Sequence, residues 1–322
     1  MVTIHKGVPD RDWDDQVCRL SGHFLQSRAW AQFQAALGRQ VLWACDASWA
    51  WLAAERRGRG VMYLYCAYGP CAAAGGLSEA IQSLTVAGRE RGADFGRFEP
   101  SCAEASEGRP TSIVAELERL GAQPFSEVNP AHTWVLDLSP DEAVLRSGLS
   151  SGNRNIINKA ERTGISCREA DARQIEPFLS MLRDTYGRAG IKAYDDDYYR
   201  TMLKVLHPAG AARLVYAYYQ GKPVAGAIVY DWNGRRHYAH AAADQAVNRE
   251  INAARMLVWY LIMEAKHSGL TSFDFWGVAP TDDPGHPWHG LSKFKKSFGG
   301  EGVEYAGTWD LPINKPKYRL YR

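Results

Sequence analysis

Apolar positions along the chain follow two alternating rhythms. In residues 26–38, Trp30, Phe33 and Leu37 share one helical face. Ser27 stands where a side chain caps a first turn, and Gly38 stops the run. Residues 41–70 change to β-rich apolar runs, three of them, divided by turn signals and closed by Gly69-Pro70. A helix over Leu77–Arg91, a strand in DFGRFEP, a helix over Thr111–Leu120 and a strand in HTWVLDLS follow. The second half repeats this order. Helices are predicted over Ser151–Thr163, Gln174–Tyr186 and Asp197–Leu206. Three strands in 212–243 turn at Gln220-Gly221-Lys222 and Asn233-Gly234, and a long helix spans Asn252–His267. A strand at Thr271–Trp276 and a helix at His289–Phe298, capped by Gly299-Gly300, lead to a last strand. The shared order points to an internal duplication. The break between halves is expected near Asp137–Gly152, where Ser139 and Pro140 precede a helix and a Gly/Ser-rich stretch.

Strands interleaved with helices define a mixed α/β (α+β) fold. At 322 residues the chain suits two domains better than one core. The expected division is 1–148 and 149–310, with the tail 311–322 returning to the first domain. No apolar run is long enough to span a membrane, and MVTIHKGVPDRDWDD has no signal-peptide core. Six scattered cysteines without a CxxC spacing suit a reduced, cytoplasmic protein. The net charge of +2 conceals a basic C-terminal third. Lys293, Lys295 and Lys296 share one helical turn, and Lys315, Lys317, Arg319 and Arg322 follow without an acid. Such a cluster is either a solvated face or the footprint of an anionic partner. Asp282, Asp283, His286 and His289 are loop residues, and no metal is expected there. No P-loop or nucleophile elbow occurs, so ATP is not an expected substrate.

Asp-Phe-Trp-Gly-Val, then Gly-Leu-Ser-Lys-Phe-Lys-Lys-Ser-Phe-Gly-Gly, then Tyr-Ala-Gly-Thr-Trp-Asp, all within residues 274–310, resemble the C-terminal signature of the Fem family (FemA/FemB/FemX-like). QSRAWAQFQ, AYGP, GRFEP, TWVLDLS, NRNIINKAERTGI, TYGRAGI, GKPVAGAIV and HYAHAAA precede them in the family's order. The resemblance implies two tandem GNAT-like (acetyltransferase-like) domains, here without the coiled-coil insertion of longer members. It implies transfer of an amino acid from aminoacyl-tRNA onto a peptide amine, with no cofactor, no DNA partner and a monomeric enzyme.

The resemblance also assigns residues. Phe294 and Lys295 match the pair that meets the reacting end of the aminoacyl-tRNA, and the Lys295 ammonium would steady the oxyanion formed when an amine attacks an ester. Read from charge alone and not from the resemblance, Lys293, Lys296, Arg154 and Lys159, with Arg162 beside them, are either the expected tRNA contacts or a plain solvated face. Glu99, at the end of its strand, would orient the attacking amine or take its proton, or else pair with Arg97. Asp274 is read as a structural acid. The acceptor is expected near Trp30, Gln34, Tyr68, Tyr194, Tyr198, Tyr238 and His240. At three places the chain departs from members that use a UDP-linked muropeptide: Gln32 and Gln34 replace a lysine, Tyr194 an arginine and His240 a tyrosine. With Asp195, Asp196 and Asp197 alongside, a diphosphate would lack cations to hold it. A lipid-linked precursor, which would bring the protein to a membrane surface, or another peptide or amine is left as the acceptor. A CoA-dependent N-acyltransferase is the rival on the same fold, its pyrophosphate loop corresponding to 249–254. The other rival is a non-catalytic RNA- or peptide-binding module.

Overall fold

Local sequence dictates the first elements closely. The Ser27 hydroxyl accepts the Trp30 amide hydrogen and opens the helix Arg28–Ala36. Gly38, in the left-handed region, donates to Ala35 O, and Arg39 N donates to Gln34 O, closing the helix with the paired bonds of a Schellman motif. The computed structural model describes residues 2–102, 111–160, 164–189 and 194–322. The expected end of the Ser151–Thr163 helix, Arg162 included, lies outside the described residues, as do Gly190 and Ile191 of TYGRAGI.

Two compact units form: Met1–His132 with Val303–Arg322, and Thr133–Gly302. In the first, an antiparallel meander of Val41–Asp46, Trp49–Gly58 and Val61–Cys66 continues through Phe95–Phe98, which runs parallel to Val61–Cys66. The helix Leu77–Arg91 makes the crossover, and Leu64, Leu84, Phe98 and Trp309 join one core. In the second, Ser166–Ala170, Ala212–Tyr219, Lys222–Trp232 and Arg235–Ala243 pair antiparallel in sequence order. Ser272–Gly277 then joins parallel to Arg235–Ala243 after the helix Ala253–His267. His132–Asp137 and Glu301–Glu304 complete this sheet of seven strands.

The units divide at 132/133 and 302/303 rather than at 148/149 and 310/311. Long-range pairing sets these limits. Strand His132–Asp137 pairs with Ser272–Gly277, and Leu145 and Leu149 are buried in the second core. Trp309–Pro312 pairs with Phe95–Phe98 and so belongs with the first. Arg97 fastens this return, with bidentate bonds to Asp310 at 2.7 and 2.8 Å, both side chains buried. The lysine-bearing helix is His289–Lys296 with Ser297 as its C-cap, two residues shorter than expected. Gly299 and Gly300 follow at positive φ, and Gly300 passes so close to Val135 that an added Cβ would lie 2.5 Å from its carbonyl oxygen.

Candidate active site

The parallel pair of the second unit opens like a fork. Arg235–Ala243 and Ser272–Gly277 are in register only at Arg235–Ser272, Arg236–Phe273 and His237–Asp274. Beyond them the strands are no longer partners. A bulge at Ala239 bends the first strand, since Ile228 faces His240 while Val229 faces Tyr238. The second is bent by Trp276, an aromatic residue held at φ 65°. The Asp274 carboxylate accepts the Trp276 amide hydrogen at 2.7 Å and fixes that turn.

The turn sets the Gly277 carbonyl to receive the Lys295 ammonium at 2.6 Å. Lys295 is only 6% exposed. Burial pushes it down to about 7, with the Asp274 charge opposing. Asp274 is itself buried, which would raise it, yet it is held below the usual carboxylate value by His237, by the Arg235 charge and by the Trp276 amide. Ser292 locks the helix to the loop: its hydroxyl accepts from Ala279 N at 2.7 Å and donates to Trp288 O at 2.8 Å.

Phe294 borders two cavities. One is a 210 Å³ cleft along the opened strand, lined by Tyr238, Ala241, Ala254 and Leu257 among others. The second is a 650 Å³ groove with Arg255, His289, Lys293 and Lys296 on its walls, and Asp282 the one acid among the described residues that line it. Lys295 follows Phe294 by one residue, about 100° further around the helix, and so turns inward. Lys293 is exposed and among the described residues forms no ion pair. Lys296 is bound to Asp282 at 2.6 Å and lies over the Trp134 ring, so its charge is partly met inside the protein. Arg154 donates to the carbonyls of Ser147 and Leu149, closing the end of the helix Glu142–Gly148, while Lys159 is exposed on its own helix.

Arg255 and Asn153 were not singled out from sequence. Arg255 bonds Asn153 Oδ1 and stands 5.4 Å from the Phe294 ring centre. Asn153, fully buried, donates to Ser297 O and Oγ at 3.0 and 2.8 Å. The signal was present, because Asn153 begins the NRNIINKA motif. Asn248 was also missed. The segment 249–254 is not an open loop: Gln245–Ile251 is a helix, Asn252 takes φ 57°, and a new helix starts at Ala253. Asn248 Oδ1 accepts the Ala254 amide at 2.8 Å, so a donor that a pyrophosphate would need is already engaged.

The expected acceptor residues are divided between the units. Trp30, Gln34, Tyr68 and Glu99 lie in the first; Tyr194, Tyr198, Tyr238 and His240 lie in the second. Trp30 is packed edge-on against Phe24 and Phe33. The Gln34 carbonyl accepts from Arg39 and Arg56 at 2.6 and 2.9 Å. Tyr68, at φ 43°, donates its hydroxyl to Pro130 O. Glu99 does not pair with Arg97. It is 3% exposed and accepts five hydrogen bonds, from Tyr65 OH, Tyr68 N, Asn129 N, Asn129 Nδ2 and Thr308 OH. These donors hold the carboxylate in place, and through it the loops that supply them. In the second unit Tyr194, 57% exposed, stacks on Tyr198 at 3.9 Å between ring centres. His240 is in hydrogen-bonding range of Tyr230 OH at 3.2 Å, and burial pushes it down to about 4. Of the three aspartates, Asp195 caps the helix Asp196–Leu206, Asp196 meets Arg183 and Arg200, and Asp197 meets Arg200. Their repulsion toward an anion is therefore smaller than the sequence suggests.

An antiparallel meander, a crossover helix and a parallel strand pair, present in each unit, define the tandem acetyltransferase (GNAT) class of fold. A GNAT-domain sequence profile matches residues 151–295, and the profile of the FemAB family matches residues 14–218. The chain belongs to the FemAB family. Aminoacyltransferase FemA of Staphylococcus epidermidis is 30% identical over 95 residues, 30% of this chain and 20% of FemA. FemA of Staphylococcus aureus (strain MW2) is 33% identical over 89 residues, 28% of this chain and 18% of FemA. The chain thus spans about a fifth of the length of these relatives. The crystal structure of FemX superposes with a TM-score of 0.82 at 16% identity, covering 98% of this chain and 99% of FemX. A tandem GNAT protein from the clavulanic acid biosynthesis pathway gives 0.55 at 12% identity, covering 97% and 98%. At these identities the likeness is one of fold.

Proposed function

We propose that the protein transfers an amino acid from aminoacyl-tRNA to the amine of a peptide or peptide-like acceptor, forming an amide. One observation carries this reading: a buried lysine at the open end of the forked strands, next to a basic groove and a small cleft that share Phe294. The groove, with Arg255 and Lys293, suits the phosphates of an acceptor end. The cleft suits the esterified amino acid. The amine attacks the ester carbonyl, a C–N bond forms, and the ribose hydroxyl leaves with a proton. Lys295, as a cation, stabilises the charge that collects on the carbonyl oxygen. Membership of the FemAB family, and similarity to proteins named aminoacyltransferase FemA, support the same reaction class.

A CoA-dependent acyl transfer is the second reading, favoured by the GNAT match. The Asn248 bond to the Ala254 amide and the exposed Glu250 beside it weigh against it. For the acceptor, Tyr194 stacked on Tyr198 offers a flat aromatic surface without a cation, which suits a peptide amine better than a UDP-linked precursor. A cytoplasmic location fits this chemistry. The deciding assay offers the protein a pool of radiolabelled aminoacyl-tRNAs with peptide amines, and acetyl-CoA separately. Product that requires intact tRNA and is abolished by ribonuclease is expected. Turnover of acetyl-CoA, or transfer that survives ribonuclease, overturns the proposal.

A further inference from the structure

The first unit carries a groove of 780 Å³ that the proposed transfer leaves unused. Its walls are the helix Leu77–Arg91 and the short tail helix Lys315–Tyr321. Arg89, Lys315, Arg319 and Arg322 line it, and among the described residues no acid does. Among the described residues none of these four forms an ion pair. Arg322 donates only to neutral acceptors, Gln123 Oε1 and Pro124 O. Lys317, by contrast, is tied to Asp94 at 3.0 Å and does not add to the free charge.

The apolar part of this face is as informative as the charge. Ile81 and Leu311 line the groove; Val86 is 44% exposed and Leu320, among the tail cations, is 89% exposed. A leucine held out in water beside cations gains free energy only when an apolar phase covers it. A nucleic acid would leave it wet and, among the described residues lining the groove, would find no exposed ring to stack on. The lining aromatic, Tyr318, is 3% exposed, and its hydroxyl is bonded to Asp310.

We propose that this face docks on an anionic lipid bilayer, with Leu320 entering the interface and Arg89, Lys315, Arg319 and Arg322 meeting phospholipid headgroups. The inference is independent of the transfer reaction, and it would place the enzyme where a lipid-borne acceptor is presented.

The test is co-sedimentation of the whole protein with vesicles of phosphatidylcholine alone and of phosphatidylcholine mixed with phosphatidylglycerol, at low and high salt. Binding to the anionic vesicles alone, lost at high salt, is expected, since each cation at such a surface contributes roughly fivefold in affinity. Arg319→Glu should weaken it by roughly tenfold or more, and Leu320→Asp and Leu320→Ser should weaken it in that order. Both positions changed are exposed, so far-ultraviolet circular dichroism and transfer to a water-soluble acceptor should stay as in the wild type. Equal binding to neutral vesicles, or no binding to either, overturns the proposal. So does loss of vesicle binding in Lys293→Met, which would move the contact to the second unit. If Arg319→Glu lowers affinity for tRNA and leaves vesicle binding intact, the face belongs to nucleic acid and the proposal fails.

Discussion

Replacing Lys295 with methionine is expected to make the protein more stable and less active at once. An ordinary lysine loses its proton near 10.5, and burial brings Lys295 to about 7. At about 1.4 kcal/mol per pH unit, keeping the charged amine inside the folded protein below its own pKa costs on the order of 5 kcal/mol. Methionine fills a similar volume without charge. It also abandons the 2.6 Å bond to the Gly277 carbonyl, and leaving that carbonyl unmet costs about 1–3 kcal/mol. The balance favours the variant by about 2–4 kcal/mol at about pH 6. For a unit the size of Thr133–Gly302, that is a rise in Tm of roughly 5–15 °C.

The pH dependence gives the reasoning a sign. The unfolded lysine stays protonated up to about 10.5, while the folded one releases its proton above about 7. Between those values the unfolded state binds more protons, so wild-type stability rises with pH. The advantage of Lys295→Met is therefore full below about pH 7 and fades toward about pH 10.5. Single-turnover transfer at saturating donor should fall on the order of 10²–10³-fold, with tRNA binding little changed. Thermal melts at several pH values and a single-turnover assay measure both halves. A variant that melts below the wild type at about pH 6 refutes the buried-charge argument. A variant that keeps the wild-type rate removes Lys295 from the chemistry.

Lys293→Met should raise the apparent KM for the donor, leave kcat nearly intact and flatten the dependence on salt, because one phosphate contact accounts for roughly one unit of the salt slope; titration of rate against salt checks this. Gly300→Ala should cost more than 2 kcal/mol, roughly, since φ is +96° and the new methyl would meet Val135 O; urea unfolding measures it. Arg97→Met leaves the buried Asp310 with the Tyr318 hydroxyl but without its charged partner, and should cost about 3–5 kcal/mol. Cleavage of the tail by a protease at low enzyme ratio should accelerate in that variant, and an unchanged rate would show that Trp309–Pro312 holds without the ion pair.

What the sequence made legible was local. The Ser27 cap, the stop at Gly38, the hairpin turns at Gln220-Gly221 and Asn233-Gly234, and the element order of both halves all depend on neighbours a few residues apart. The family signature carried the rest of the fold. The misplaced boundaries have a common physical cause: strands His132–Asp137 and Trp309–Pro312 take their partners more than a hundred residues away. Their own composition does not say which sheet they will enter. The same holds for side chains. Glu99 reads as a free acid at a strand end, yet its donors come from positions 65, 68, 129 and 308, and together they occupy it. Lys293, Lys295 and Lys296 look equivalent as a run. In the fold one is exposed, one buried and one paired, because helical rotation separates them and a loop aspartate meets the third.

The two units use the same pair of parallel strands in opposite ways, and in the proposed reaction this difference divides their tasks. In the first, Val61–Cys66 and Phe95–Phe98 stay in register from Tyr63–Phe95 to Cys66–Phe98, and Glu99 N then donates to Cys66 O and Gly69 O. The end of that pair is zipped, and the five donors on Glu99 seal it. In the second the register stops after three pairs, a bulge and a left-handed tryptophan turn the strands aside, and a lysine at about 7 occupies the space. A zipped pair has no unmet backbone group to offer a reacting carbonyl. A forked one has both an opening and a cation. Strain at Trp276 and the cost of burying Lys295 thus fall where chemistry can use them. Donor chemistry accordingly belongs to Thr133–Gly302 in the proposed reaction, and the Lys295→Met melts and rates test that assignment directly.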